Sequence, residues 1–138
     1  MTVYLDSSVI LRRLMQQPGG LTEWQLIRTP VSSRLTQVEC FRTLDRLRVE
    51  GKYGDDDLAS LREGLHGILG RIDVVEVTRS ILARAAQPSP TALGTLDAVH
   101  LSSALAWRDR GGNNLVLGTH DAALALAARA HGFRVIGS

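Results

Sequence analysis

Two acidic residues of this sequence follow short apolar runs, where the ends of strands are expected. Asp6 directly follows Val3-Tyr4-Leu5, and Asp121 lies a few residues after Leu115-Val116-Leu117. Either carboxylate could cap the helix that comes next, a common role of Asp. The serines that follow Asp6 could cap the first helix equally well, so its carboxylate is not needed for that purpose. Asp6 is therefore a candidate for chemistry, whereas Asp121 is equally well explained as a helix cap.

Two further acids lie inside predicted helices. Asp97 is in the first turn of a helix that begins at Thr95 and is otherwise apolar. The helix dipole favours an acid there, but the apolar neighbours indicate a buried helix whose carboxylate faces a cleft. Glu39 is followed at helical spacing by Arg42 and Arg46, so an exposed salt-bridging face explains it without a function. Taken singly, Asp97 favours function and Glu39 favours structure.

The four acids together suggest a site that none of them suggests alone. If the fold brings them together, two carboxylates ~4 Å apart repel each other by about 4 kcal/mol at an effective dielectric of ~20. Protons or a divalent cation must then neutralise the cluster. Ligands that are all oxygen favour Mg²⁺ or Mn²⁺ over zinc, and such ions bind phosphates and activate water. The acids therefore predict metal-dependent chemistry on a phosphate ester.

The elements that must position these acids alternate between strand and helix. Strands are predicted at residues 3–5, 29–31, 72–77, 115–117 and 133–136. Helices are predicted to begin at Ser7 or Ser8, near Trp24, at Ser32 or Ser33, and at Asp55, Thr78, Thr95 and Asp121. This alternation predicts an α/β fold of three layers, with a central, mostly parallel sheet of about five strands and helices on both faces. Such sheets bind ligands outside the carboxyl ends of their strands.

Length and composition are those of an ordinary globular chain. With 138 residues, 44% of them apolar and 22% charged, it is predicted to form one domain over residues 1–138. Lys52 is the only lysine among 16 basic residues; arginine suits RNA phosphates, although a genomic bias toward Arg explains this equally well. No run approaches the ~18 apolar residues of a membrane span, and Asp6 interrupts the apolar core that an export signal needs. We expect a cytoplasmic protein without membrane contact, and Cys40 in its core.

Several other phosphate chemistries lack the residues that they need. A phosphoryl-accepting receiver domain needs paired acids after the first strand and a late lysine, and a dehalogenase-type phosphatase needs an acid where Ser8 stands. The chain has no phosphate-binding glycine loop and no G-x-S-x-G motif. Its four histidines show no zinc-ligand spacing, and His100 is expected to be a core residue with satisfied hydrogen bonds.

The sequence resembles the PIN-domain nucleases, and among them the VapC-type toxins of bacterial toxin–antitoxin pairs. The segments that carry the resemblance are Tyr4-Leu5-Asp6-Ser7-Ser8, Ser33-Arg34-Leu35-Thr36-Gln37-Val38-Glu39, Leu96-Asp97-Ala98-Val99-His100-Leu101 and Gly118-Thr119-His120-Asp121. The resemblance spans the chain from Val3 to Ile136. The acids in these four segments stand in the order and at the approximate spacing that the family shows.

The resemblance implies a PIN-like fold and a metal-dependent endoribonuclease, the toxin of a type II toxin–antitoxin system, that hydrolyses RNA phosphodiester bonds. It implies Mg²⁺, with Mn²⁺ as a substitute, held mainly by Asp6 and Asp97. Glu39 and Asp121 would complete the acidic pocket, directly or through water, and one of them would accept a proton from the attacking water. The small hydroxyl positions beside the pocket are Ser7 and Thr119. The expected partners are an RNA substrate, a cognate antitoxin and a second copy of the chain in a homodimer.

The sequence leaves some alternatives open. A catalytically silent PIN-fold module that binds RNA or a protein partner is the alternative function, and the intact set of four acids weighs against it. Arginines at the rim could steer RNA or be ordinary solvated charges; they are Arg12, Arg13, Arg42 and Arg46. The role of His120 is open. The glycine-rich helix from Asp55 to Gly70 is either a lid or antitoxin-docking element or an ordinary amphipathic helix.

Overall fold

A five-stranded sheet forms the centre of the computed structural model, which describes residues 1–138. Its strands are β1 (Thr2–Leu5), β2 (Thr29–Ser33), β3 (Asp73–Val75), β4 (Val116–Gly118) and β5 (Arg134–Ile136). Every neighbouring pair is parallel, and the order across the sheet is β3-β2-β1-β4-β5. The predicted parallel sheet of about five strands is confirmed.

Helices cover both faces of this sheet. They are α1 (Ser7–Leu14), α2 (Arg34–Val49), α3 (Asp55–Leu69), α4 (Arg79–Ala85), α5 (Thr95–Asp109) and α6 (Ala122–Ala130), with a short 3-10 helix at Trp24–Leu26. Successive side chains of a strand point to opposite faces. Val3 and Leu5 accordingly pack in one core cluster, which holds residues of α1, α2 and α3, while Tyr4 packs in a second with residues of α4, α5 and α6. Cys40 is buried in the first cluster, as predicted.

The strand order defines where a site can form. The chain builds β1, β2 and β3 toward one edge of the sheet and then crosses over to add β4 and β5 on the other side of β1. Parallel sheets of this kind bind ligands at the carboxyl ends of the strands where the order reverses. Here that point lies between β1 and β4, and Asp6 and Thr119 are the first residues after those two strands.

One predicted strand is shorter in the structure. The sequence suggests a strand over residues 72–77, but only Asp73–Val75 pair with β2. The reason is that β3 is an edge strand with a single neighbour, and its register reaches only the last three residues of β2. None of the helices combines the length and the apolar character needed to cross a membrane.

Replacement of Gly137 by Ala is expected to destabilise the fold at the end of β5. Gly137 has φ +93°, and an added Cβ would lie 2.6 Å from Leu21 Cδ2 and 2.7 Å from the carbonyl oxygen of Thr119. We expect the free energy of unfolding to fall by more than about 2 kcal/mol, because backbone strain and overpacking add. Gly51→Ala is the matched control: φ is +69°, but nothing lies within 4 Å of the added Cβ. If urea denaturation shows the same decrease in the free energy of unfolding for Gly137→Ala and Gly51→Ala, the added Cβ at Gly137 is not crowded.

Candidate active site

Asp6 lies buried at the carboxyl end of β1, with both carboxylate oxygens engaged. Oδ1 accepts hydrogen bonds from Ser8 Oγ at 2.5 Å and from the backbone N–H of Val9 at 3.2 Å. Oδ2 accepts one from Thr119 Oγ1 at 2.5 Å. Asp6 is thus itself the N-cap of α1, so the inference that its carboxylate is not needed for capping is wrong. The same hydrogen bonds hold the carboxylate at the reversal point of the sheet.

Thr119 connects Asp6 to Asp121 at the carboxyl ends of the neighbouring strands β1 and β4. Its hydroxyl donates to Asp6 and also accepts a hydrogen bond from the backbone N–H of Asp121 at 3.0 Å. Asp121 caps α6 by accepting from the N–H of Leu124 at 2.8 Å. The helix cap proposed for Asp121 is therefore real, and it leaves Oδ2 of that side chain without a hydrogen bond.

Asp97 provides the clearest sign that the acids converge. It is half-buried in the first turn of α5. Its pKa is raised to about 6, first by burial and then by repulsion from Asp121, with Asp6 and Glu39 adding to the rise and His100 opposing it. None of the ion pairs between an arginine and a carboxylate includes any of these four acids. The negative charge of the group therefore has no arginine to neutralise it.

Glu39 pairs with a residue that the sequence did not suggest. Its Oε1 lies 2.5 Å from Nε2 of His100, whereas Arg42 pairs with Asp45 and Arg46 pairs with Glu50. The exposed salt-bridging face proposed for Glu39 is therefore wrong. Its side chain is turned inward from α2 toward α5, on the side where Asp97 lies.

The structure also distinguishes the two serines after Asp6. Ser8 is the hydroxyl that hydrogen-bonds Asp6, and it accepts from the backbone N–H of His120 at 3.0 Å as well. Ser7 makes no hydrogen bond to Asp6; it lines a surface hollow of about 500 Å³ together with Glu39. Ser8 could have been recognised from its position two residues after the acid that caps the helix.

Two of the four proposed rim arginines lie beside the site. Arg42 and Arg46 line the same hollow as Glu39. Arg12 instead donates to the carbonyl of Gly19, and Arg13 lies over the ring of Trp24 at 5.4 Å.

The donor set of this site is that of a hard divalent cation. All four candidate ligands are carboxylates, and oxygen is the ligand atom that Mg²⁺ and Mn²⁺ prefer. Burial is the main reason that the pKa of Asp97 is raised, and repulsion from Asp121, Asp6 and Glu39 adds to it; a positive charge here would relieve that repulsion. In the present arrangement no three acidic, histidine or cysteine side chains are grouped so as to hold a metal ion. The residues fit the ion in chemistry and charge, and closing the ligand set requires side-chain movement.

Comparison with known proteins identifies the family of this chain. A family model described as the PIN domain matches residues 3–109. The chain belongs to the PIN domain family. Ribonuclease VapC46 of Mycobacterium tuberculosis is 33% identical over 97% of this chain and 95% of its own length, which confirms the predicted relation to the VapC type.

Solved structures show the same fold at low sequence identity. PAE2754 from Pyrobaculum aerophilum has a TM-score of 0.64 at 20% identity, covering 98% of this chain and 83% of its own. A toxin–antitoxin complex from Klebsiella pneumoniae has a TM-score of 0.61 at 14% identity, covering 86% of each chain. The PIN-like α/β fold is confirmed.

The matched family segment ends before the last strands of this PIN domain. Residues 110–138 lie outside it, yet they supply β4, which pairs with β1 in the middle of the sheet. They also supply Thr119, whose hydroxyl donates a hydrogen bond to Asp6, and Asp121, whose backbone N–H donates one to Thr119. The carboxylate group is therefore completed by the C-terminal part of the chain.

Proposed function

We propose that this PIN domain is a Mg²⁺-dependent endoribonuclease, active also with Mn²⁺, and the toxin of a type II toxin–antitoxin pair. The proposed site consists of Asp6, Glu39, Asp97 and Asp121, with Thr119 and Ser7 as supporting hydroxyls. The observation that carries the proposal is a group of acids that no arginine neutralises: burial, and repulsion from Asp121, Asp6 and Glu39, raise the pKa of Asp97. A protein that only needed a stable fold would gain from replacing such a group.

Each acid has a distinct part in the proposed reaction. A divalent cation bound here would neutralise the scissile phosphate and lower the pKa of a water. Asp6 is fixed by three hydrogen bonds and gives a rigid ligand at the floor of the site. Asp97 is the adaptable ligand, because it makes no hydrogen bond of its own. Glu39 and Asp121 would complete the set of ligands, directly or through water, and one of them would accept the proton from the attacking water. Arg42 and Arg46 would bind the RNA backbone.

The proposed partners follow from the relatives and from the surface beside the site. The relative VapC46 is named a ribonuclease, and the Klebsiella pneumoniae structure is named a toxin–antitoxin complex. In this chain Val38 and Leu96 are large apolar side chains that are exposed, and both line the hollow beside Glu39. We assign this surface to contact with the antitoxin, and we propose that the toxin forms a homodimer. Light scattering of the chain alone, and copurification with the product of an adjacent small open reading frame, test these two proposals.

Metal removal is the direct test of the proposed reaction. Purified protein is expected to cut a 5′-labelled single-stranded RNA in the presence of Mg²⁺ or Mn²⁺. Excess EDTA should abolish the cutting, and adding back Mn²⁺ should restore it, because the carboxylates alone repel the phosphate. Equal cleavage with and without chelator would refute the metal-dependent mechanism.

The metal-removal experiment also tests the alternative function, a catalytically silent module that binds RNA. The observation that favours this second candidate is that Asp6 and Glu39 are both engaged by protein hydrogen bonds. A silent module would bind the labelled RNA in a gel-shift assay without shortening it at any metal concentration.

A further inference from the structure

A buried chain of hydrogen bonds leads from the core to Glu39. The hydroxyl of Tyr4 lies 2.8 Å from Nδ1 of His100, and Nε2 of the same ring lies 2.5 Å from Oε1 of Glu39. Tyr4 and His100 are 0% and 1% exposed, so no water competes for these groups. The three residues belong to β1, α5 and α2, and they are separated by 61 and 96 positions in the sequence.

The chemistry of the three groups fixes the direction of one of these hydrogen bonds. An ionised carboxylate can only accept, so Nε2 of His100 must donate to Glu39. A phenol hydroxyl can donate or accept, so Tyr4 can satisfy Nδ1 whether that atom carries a hydrogen or not. The ring is therefore held from both sides.

The placement of His100 on α5 joins it to the acidic group. His100 follows Asp97 by three residues, a spacing that puts both side chains on one face of the helix. Helix α5 thus carries Asp97 and, one turn further on, the ring of His100 that contacts Glu39. Only one oxygen of Glu39 is used by this contact, and Oε2 makes no hydrogen bond.

We propose that His100 is a positioning residue, which orients the carboxylate of Glu39 toward a bound divalent cation, and that Tyr4 fixes the ring. This inference rests on the proposed metal-dependent function. Histidine–carboxylate contacts of this kind reduce the freedom of a ligand before the ion arrives, and their loss costs roughly 10- to 100-fold in metal affinity. His100 itself contacts neither metal nor RNA in this role.

Two variants of His100 with side chains of similar length distinguish a role in positioning Glu39 from a role in packing the core. His100→Gln places an amide N–H near the position of Nε2, whereas His100→Met fills a similar volume without a donor. By isothermal titration with Mn²⁺, His100→Met is expected to bind roughly 10- to 100-fold more weakly than the natural protein, and His100→Gln is expected to recover most of the loss. In RNA cleavage, kcat should fall with His100→Met while KM for RNA changes little. The exposed His66 gives the control, since His66→Gln should bind Mn²⁺ as the natural protein does.

The results of these experiments distinguish a failure of the role inferred for His100 from a failure of the proposed metal-dependent function. If the natural protein binds Mn²⁺ and cuts RNA, but the Gln and Met variants bind Mn²⁺ equally and differ only in thermal unfolding, His100 is a packing residue and the inference is overturned. If the natural protein neither binds Mn²⁺ nor cuts RNA, both fail. Should His100→Met not fold, Tyr4→Phe replaces it: losing the hydroxyl should weaken Mn²⁺ binding measurably, and unchanged affinity would overturn the inference.

Discussion

Replacement of Asp97 by asparagine is expected to abolish RNA cleavage and, at the same time, to make the metal-free protein more stable. The loss of a direct ligand should exceed the 10- to 100-fold effect typical of residues that only support ligands, so we expect a decrease in kcat/KM of more than about 100-fold. The gain in stability follows from the pKa of Asp97, which the folded state raises from 3.8 to about 6.

The pH dependence of this gain has a definite sign. Because folding raises the pKa, the folded protein binds the proton of Asp97 more tightly than the unfolded chain does. The ionised carboxylate therefore lowers stability at pH 7, and the penalty disappears as the pH falls through about 6 toward 3.8. After allowance for solvent screening of this half-buried group, the penalty is about 1 kcal/mol. Asp97→Asn removes it at pH 7 and changes little near pH 4.

Urea denaturation in EDTA at pH 7 and near pH 4 measures this difference. Asp57→Asn is the matched control, because Asp57 also lies in the first turn of a helix, α3, but is exposed. This control should lose a few tenths to about 1 kcal/mol as its interaction with the helix dipole is lost. If both variants are destabilised alike at pH 7, Asp97 is an ordinary helix-terminal acid and the four carboxylates do not converge.

The fold could be predicted from the sequence because local patterns determine it. β-Branched and apolar runs alternate with helical spacings, and this pattern predicted all five strands and all six helices. The order of the strands could not be predicted, because it depends on which connection crosses to the other side of β1. The end of the third strand was also missed, since pairing with a single neighbour stops at Val75 while apolar sequence continues to Val77.

The positions of the candidate residues could be predicted best where they stand at the ends of strands. Asp6 follows β1 and Asp121 follows β4, and the topology rule places both at one edge. Glu39 was misread because spacing along one helix suggests only local partners, and its partner His100 is 61 residues away. His100 could have been recognised from the sequence, because it lies three residues after Asp97 and therefore on the same face of α5 as this candidate ligand.

Asp6→Asn is expected to abolish cleavage as Asp97→Asn does, but with the opposite effect on stability. The carboxylate of Asp6 satisfies Ser8, Val9 and Thr119. An asparagine can keep the helix cap through its carbonyl oxygen. Its amide group would then face Thr119, whose hydroxyl hydrogen loses its acceptor inside the protein. Because hydrogen bonds to charged groups contribute roughly 1.5–3 kcal/mol, we expect the free energy of unfolding to fall by about 2 kcal/mol.

The double variant Asp6→Asn with Thr119→Val identifies the source of this loss. Valine has the shape of threonine without the hydroxyl, so the hydrogen that the Asp6→Asn change leaves unpaired is absent. Removal of both partners of a buried hydrogen bond costs less than removal of one. Thr119→Val alone carries the cost of the lost acceptor for the backbone N–H of Asp121, so it is the reference for the double variant. In this background Asp6→Asn should lower the free energy of unfolding, measured by urea denaturation, less than it does in the natural protein, and RNA cleavage should stay lost. If Asp6→Asn cuts RNA at the natural rate, the ligand role of Asp6 fails; if its stability is unchanged, the contact with Thr119 does not hold the site together. If Asp6→Asn lowers the free energy of unfolding and Asp97→Asn raises it, the carboxylate of Asp6 stabilises the fold. The carboxylate of Asp97 then destabilises the fold and is kept for the ion that it binds.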